Sequence, residues 1–182
     1  MLRKNFLFLP CVFFSFGLFA QPEPVGKLYL DAAVTKLQHA KAYTLAMAEL
    51  MPESKYGFKP VPEEMSFAEQ LLHLGDNLDW LTSQYLYRES RESNPFKRPP
   101  APYKKEEVIA AVTQAYDYAI DKFKHFDVSH LTDSVYFEYM GAGRMSKLQF
   151  MNLVNDHQTH HRGQMIVYLR LNGITPPEYM GW

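Results

Sequence analysis

The segment Asp156-His157-Gln158-Thr159-His160-His161-Arg162-Gly163-Gln164 lies near the end of the chain and holds three of its seven histidines. His157 and His161 are four residues apart, so on a helix they lie one turn apart on the same face. Two imidazoles placed in this way can bind one metal ion, and a histidine from another helix would complete a set of three protein ligands. A lone H-x-x-x-H pair also arises by chance, so the neighbouring sequence must show whether this pair is a metal site.

The pair lies in the middle of a helical pattern. Ser146 is a typical N-cap residue, and Asn172-Gly173 is typical of a helix C-terminus. Between them a stripe recurs at spacings of three and four, formed by Phe150, Val154, His157, His161, Gln164, Tyr168 and Leu171. His160 lies about 100° away from His161, on a mixed face. The pattern therefore predicts that His157 and His161 face the interior of the protein.

Three further helices are predicted upstream. The first spans residues 26–51 and ends at Pro52, because proline cannot continue a helix. Ser66-Phe67-Ala68-Glu69 is a capping box, which starts a second helix at about residue 67. A third helix follows at about 104–126.

Four amphipathic helices indicate an all-α four-helix bundle. The charged, proline-rich segment 88–103 is interpreted as a surface linker, long enough to be a crossover connection between helices. Residues 127–145 are expected to be irregular, with a short strand at Val135-Tyr136-Phe137 and a turn at Gly141-Ala142-Gly143.

The second helix carries His73, whose orientation the pattern leaves open. The apolar stripe is Phe67, Leu71, Leu74, Leu78, Leu81 and Tyr85, and His73 lies near its Trp80 edge. His73 either faces inward or is a boundary residue hydrogen-bonded to Asn77, one turn on. Three other histidines lie off the stripes or past helix ends and are expected at the surface: His39, His125 and His130.

Residues 1–20 have the layout of a secretory signal peptide. Arg3 and Lys4 form a basic start, an apolar run follows, and Ala20 precedes the polar Gln21. We therefore expect cleavage near Ala20/Gln21, export to the periplasm or the medium, and one domain over residues 21–182. A retained N-terminal anchor is the alternative.

Removal of this segment would restrict the chemistry of the chain. The single cysteine, Cys11, would be lost, leaving no thiol nucleophile, and we expect no membrane association afterwards. No run of basic residues predicts a nucleic-acid partner. The bundle lacks the Glu-x-x-His motifs of di-iron proteins, and Gln158 and Thr159 stand where a zincin needs its catalytic glutamate.

His157 to Gln164, followed by the tail 168–177, resembles the last helix of the DinB family, four-helix bundles related to YfiT-like metal-dependent hydrolases. The start of the second helix, 66–73, and the preceding segment 56–60 are similar to the same family. The resemblance covers roughly residues 26–180. It implies a metal site with His73, His157 and His161 as ligands and His160 as a neighbour. Members of the wider superfamily include transferases and isomerases that use low-molecular-weight thiols. Such thiols are cytoplasmic, whereas this chain is expected to be exported.

The resulting hypothesis is a metal-dependent hydrolase or transferase of an unidentified small molecule, with one divalent ion. Zinc is the expected ion, and nickel, iron and copper also suit three imidazoles. The sequence assigns no catalytic residue, but four side chains lie one turn or less from a ligand: Glu69, Asn77, Asp156 and Gln164. A non-catalytic metal-binding or interaction bundle is the alternative, and a metal-free bundle is the third. The sequence leaves open whether the chain forms a homodimer.

Overall fold

A computed structural model describes residues 24–90, 96–141 and 143–181. It contains four helices, α1 (Val25–Leu50), α2 (Phe67–Trp80), α3 (Lys105–Lys124) and α4 (Lys147–Leu171), which confirms the predicted four-helix bundle. The proposed signal peptide, residues 1–20, and its cleavage position lie outside the described residues. None of the described helices combines the length and the hydropathy that a membrane crossing requires.

The two helices that carry the candidate ligands begin with capping boxes. In α2, Ser66 Oγ accepts a hydrogen bond from the Glu69 amide, and the Ser66 amide donates to Glu69 Oε2 at 2.7 Å. Ser146 and Gln149 form the same reciprocal pair at the start of α4. Each box satisfies two backbone amides that a helix N-terminus would otherwise leave unpaired. The N-termini of α2 and α4 are therefore fixed by local sequence, as predicted.

The connection between α2 and α3 is a crossover. Gly75 in α2 lies beside Ala115 in α3, and further along the chain the Tyr87 hydroxyl donates to the Lys122 carbonyl at 2.5 Å. The contacts thus advance in the same direction along both helices, which makes α2 and α3 parallel neighbours. Two parallel helices can be joined only by a segment that returns along the bundle, and this confirms the crossover that the sequence had left open.

Phe96, inside this connection, corrects the interpretation of 88–103 as a surface linker. Its side chain is only 7% exposed and belongs to the hydrophobic core. A Cβ placed on Gly75 would lie 3.0 Å from Phe96 Cε2, so the ring packs directly against the backbone of α2. Glycine at position 75 allows this close approach, and the phenylalanine anchors the returning chain.

Two irregular elements adjoin the site. A π-helical segment, Leu81–Tyr87, continues α2, and a hairpin pairs β1 (Ser134–Phe137) with β2 (Gly143–Ser146) in antiparallel register. The strand at 135–137 was predicted, but the second strand and the π-helix were not. Phe137 packs against Tyr85 and Phe150, with ring centroids 5.1 and 5.4 Å away, and this attaches the hairpin to the bundle.

A buried chain of hydrogen bonds joins all four helices. Thr44 Oγ1 in α1 lies 2.9 Å from Tyr116 Oη in α3, and the Tyr116 hydroxyl donates to Gln158 Oε1 in α4 at 2.5 Å. Gln158 Nε2 in turn donates to the Leu74 carbonyl in α2 at 3.4 Å. Because a buried polar group is costly without a partner, this chain specifies how the helices align.

One predicted stripe position and one predicted surface position differ from expectation. Leu171 was placed on the buried stripe of α4, but it is 58% exposed because it is the last residue of that helix and extends past the core. His125 and His130 are exposed as predicted, whereas His39 is half-buried. None of these differences affects the site.

Candidate metal centre

Three imidazoles converge between α2 and α4. His73 projects from α2, and His157 and His161 project from α4. His157 Nε2 lies 3.2 Å from His73 Nε2 and 3.2 Å from His161 Nε2. The three candidate ligand atoms all lie within 4.8 Å of one another, so they could hold a metal ion. His73 therefore faces inward, which the helical pattern alone left open.

The spacing of these nitrogens suits a divalent ion. Zinc–imidazole bonds of about 2.0–2.1 Å at a tetrahedral angle place two ligand nitrogens roughly 3.3–3.4 Å apart. The two Nε2–Nε2 distances of 3.2 Å are close to that value. A trio of histidines on two packed helices supplies a donor set typical of zinc sites that keep a position for water or substrate.

A hydrogen-bond chain sets the tautomer of His161. The Tyr168 hydroxyl donates to the Met65 carbonyl at 2.6 Å and therefore accepts from Gln70 Nε2 at 3.4 Å. With its amide nitrogen directed to Tyr168, Gln70 presents Oε1 to His161 Nδ1 at 2.6 Å. His161 must then carry its proton on Nδ1, which leaves a lone pair on Nε2 directed at the other two rings.

His157 shows that protein groups alone do not satisfy this cluster. Its Nε2 faces two other ring nitrogens, while its Nδ1 is buried without a hydrogen-bond partner among the described residues. A neutral imidazole carries one proton, so either tautomer leaves Nδ1 unpaired. An ion bound to the three Nε2 atoms would satisfy the lone pairs that converge there, while Nδ1 of His157 would stay without a partner among the described residues.

The cluster is neutral near pH 7. Burial, together with repulsion between neighbouring protonated rings, lowers the pKa of His157 to about 3 and that of His161 to about 4. Burial also lowers the pKa of His73, although the Asp76 carboxylate opposes the shift. Neutral imidazole is the form that binds metal, so the environment favours ligation.

A charged cavity lies on the His73 side of the cluster. It has a volume of ≈ 270 Å³. Besides His73, its walls carry both signs of charge and are formed by Lys59, Glu63, Glu64, Met65, Glu69 and Arg98. A polar group of a small molecule could bind here beside the cluster.

An aromatic cavity of ≈ 220 Å³ lies on the His157 side. Trp80 and Tyr139 form one wall, with ring centroids 5.0 Å apart, and Tyr139 follows β1 in the hairpin. The remaining lining residues are Asn77, Leu81, Phe137, Leu153 and His157. The three imidazoles thus lie between a charged cavity and an apolar one.

The four side chains predicted next to the ligands have different positions. Glu69 lies in the α2 capping box and pairs with Lys59 at 3.6 Å, although it also lines the charged cavity. Asn77 lines the aromatic cavity, and its Oδ1 is buried with no hydrogen bond among the described residues. Gln164 Nε2 lies 3.2 Å from the exposed His160. Asp156 is exposed and lines a separate cavity between α1 and α4.

The sequence reasoning missed Gln70. It is 1% exposed and is the only one of the described side chains that hydrogen-bonds His161 Nδ1. The sequence did contain a signal for Gln70, because it is a polar residue at the centre of the apolar arc of α2, one turn before His73. Its partner is 91 positions away, however, and a helical pattern carries no information on such a contact.

Comparisons with known proteins agree with this architecture. A family model described as the DinB family matches residues 29–181. A DinB-like protein from Bacillus subtilis is similar in structure, with a TM-score of 0.67 and 17% sequence identity, over 82% of this chain and 97% of that one. One from Bacillus cereus has a TM-score of 0.67 and 18% identity, over 82% and 96%. At these identities the likeness shows the fold. No curated protein matches the sequence significantly.

Proposed function

This chain belongs to the DinB family, and from that premise we propose that it is a metal-dependent hydrolase or transferase that acts on a small molecule outside the cytoplasm. His73, His157 and His161 bind one divalent ion, with zinc as the first expectation and nickel, iron or copper as alternatives. The observation that supports catalysis is the position of the three imidazoles between two cavities. A site that only stores metal has no need of flanking cavities.

A divalent ion held here would supply Lewis-acid chemistry, which polarises a carbonyl or lowers the pKa of water. The chain's own residues would supply the rest. Gln70 holds the His161 ring in the tautomer with a free Nε2. The aromatic cavity would take up an apolar part of the substrate and exclude water, while Lys59 and Arg98 in the charged cavity would bind a polar part.

Cobalt substitution tests whether the site is catalytic or only binds metal. The visible spectrum of Co²⁺ reports the number of its ligands, and azide can bind only where a ligand position is accessible. We expect azide to change the spectrum of the cobalt protein in a saturable way, and a bulky substitution in the aromatic cavity, Leu153→Trp, to weaken this response. A cobalt spectrum that azide leaves unchanged would favour the non-catalytic alternative.

Export is a separate part of the proposal and is supported by the sequence of residues 1–20. Mass spectrometry of the protein from its native host should give a chain that begins at or near Gln21. Recovery of the full-length chain from the soluble cytoplasm would overturn this part and would restore the low-molecular-weight thiols as candidate substrates.

A further inference from the structure

The face of α4 that packs toward α1 carries a second feature, a buried cation. Arg162 follows His161 directly but projects to the other side of the helix, where it is 8% exposed. Its Nη2 donates to Thr159 Oγ1 at 3.0 Å, while its Nη1 is buried without a hydrogen-bond partner among the described residues. No carboxylate of the described residues forms an ion pair with it.

A buried guanidinium that lacks a counter-charge is unfavourable, because desolvation removes the water that would stabilise it. The Tyr116 hydroxyl, which also interacts with Arg162, offers only a neutral dipole. Thr159 Oγ1, which accepts the hydrogen bond from Arg162 Nη2, is likewise a neutral oxygen. No carboxylate among the described residues therefore balances this charge, and an anion bound beside Nη1 would do so.

Arg162 lines a cavity of ≈ 190 Å³ that could hold such an anion. Lys36 of α1 lies in the same wall, and no acidic residue is among the described residues that line the cavity. The opposite walls are apolar or aromatic and come from Tyr43, Ile166, Tyr179 and Met180. Tyr179 is 81% exposed and contacts the Tyr43 ring edge-on at 6.1 Å, so the outer wall is a lightly packed piece of the tail.

We propose that this cavity binds a small organic carboxylate, held at its charged end by Arg162 and Lys36 with its apolar body against Tyr43 and Ile166. The planar guanidinium matches the two oxygens of a carboxylate. The apolar walls favour an organic acid over inorganic phosphate, which has no apolar part. The volume is below the range of about 300–1,000 Å³ usual for drug-sized ligands, so the acid is small. This site is separate from the histidine cluster and does not depend on the function proposed for it.

Benzoate is a suitable probe, measured by calorimetry on chelator-treated protein so that a metal-bound carboxylate cannot contribute. We expect saturable binding to one site, with a dissociation constant on the order of 1 mM or tighter. Benzyl alcohol, which has the same ring without the charge, and inorganic phosphate, which has the charge without the ring, should each bind at least about tenfold more weakly, since a charge-assisted hydrogen bond accounts for that much.

Substitutions in the residues that line this cavity test whether benzoate binds there. Arg162→Met and Lys36→Met should each weaken benzoate binding about tenfold or more, as loss of a charged donor implies. Ile166→Trp should abolish binding by filling the cavity, and it keeps the test valid if Arg162→Met does not fold. Lys59→Met removes a cation from the charged cavity beside His73 and should leave benzoate binding unchanged. Absence of saturable binding, phosphate binding as tight as that of benzoate, or benzoate binding that survives both Lys36→Met and Ile166→Trp would overturn the proposal.

Discussion

At the residue scale, Gln70 sets the tautomer of His161, one of the three proposed metal ligands. It accepts a hydrogen bond from His161 Nδ1 and is itself oriented by Tyr168. Without this acceptor, His161 is free to place its proton on Nε2, which blocks metal binding by that nitrogen. Gln70 is thus a positioning residue, and its effect should appear in the tautomer of His161 as well as in metal affinity.

The substitution Gln70→Leu should lower metal affinity about 10–100-fold, the range typical of residues that orient a ligand. Competition with a coloured chelator would measure the loss, and ¹⁵N chemical shifts of the His161 ring in metal-free protein would show whether the Nδ1–H tautomer is lost. Gln70→Glu, which keeps an acceptor at this position, should restore the tautomer. If Gln70→Leu keeps both the Nδ1–H tautomer of His161 and the metal affinity, the positioning role of Gln70 is wrong.

The lowered pKa values of the histidines predict how the metal-free protein responds to acid. The folded-state pKa values are about 3 for His157 and about 4 for His161, against about 6.5 for an unfolded chain. Between these values the unfolded state binds protons that the folded state does not, so the free energy of unfolding rises with pH. The stabilising contribution of neutral imidazoles is therefore complete above about pH 6.5 and is lost progressively as pH falls to about 4 for His161 and about 3 for His157.

Urea denaturation of the metal-free protein over this pH range would measure the dependence. His157→Leu removes one of the titrating groups and should make the pH dependence shallower. The control His125→Ala changes an exposed histidine and should leave it unaltered. Equal pH dependence in His157→Leu and the wild type would contradict the lowered pKa of His157.

At the scale of secondary-structure elements, the sequence predicted best those features that depend on residues close together in the chain. The capping box at Ser66 and the N-cap residue Ser146 gave the helix starts to within a residue, because a cap acts over three positions. His157 and His161 were predicted together on one face because helical spacing is also local. The partner strand β2, Gly143–Ser146, was missed because its register with β1 is a contact across a turn. The π-helix at 81–87 has no signature in the apolar spacing.

His73 and Phe96 show a second limit. Spacing left His73 between two orientations, and the family resemblance, rather than periodicity, pointed to the inward one. Phe96 lies in a proline-rich segment that reads as solvent-exposed, yet it is buried against Gly75. Both outcomes depend on which helix lies opposite, and that information is spread over the whole chain.

Phe96 provides a test of the crossover as a packed element. Phe96→Ala should lower the free energy of unfolding by about 3–5 kcal/mol, the cost usual for removing a buried phenylalanine ring. Leu171→Ala, at the exposed end of α4, is the matched control and should change it by no more than about 0.5 kcal/mol. Urea denaturation would measure the free energy of unfolding of both variants. A change in Phe96→Ala as small as that in the control would support the interpretation of 88–103 as a surface linker.

At the scale of the whole molecule, the bundle has a core large enough to fold without metal. Its fully buried side chains include large apolar ones from all four helices, such as Leu37, Leu71, Phe123 and Phe150. Each contributes about 1.5–3 kcal/mol on burial, whereas a zinc finger lacks such a core and is unfolded without its ion. We therefore expect a metal bound at the proposed site to serve function rather than folding.

Circular dichroism should accordingly show a helical, cooperatively melting protein after chelation. Added metal should raise the melting temperature by mass action, equivalent to about 2.7 kcal/mol at a free concentration one hundred times the dissociation constant. In the His157→Ala variant, added metal should have no such effect. Loss of the helices after chelation would show that the metal site is structural.

The most direct test of the account is the metal content of the purified protein and its histidine variants at equilibrium with a metal buffer. We expect about one divalent ion per chain in the wild type, as three converging imidazoles imply. His73→Ala, His157→Ala and His161→Ala should each lose most of it, while the neighbouring His160→Ala should retain it. A wild-type chain without bound metal, or a His160→Ala variant as depleted as His161→Ala, would contradict the assignment of the site.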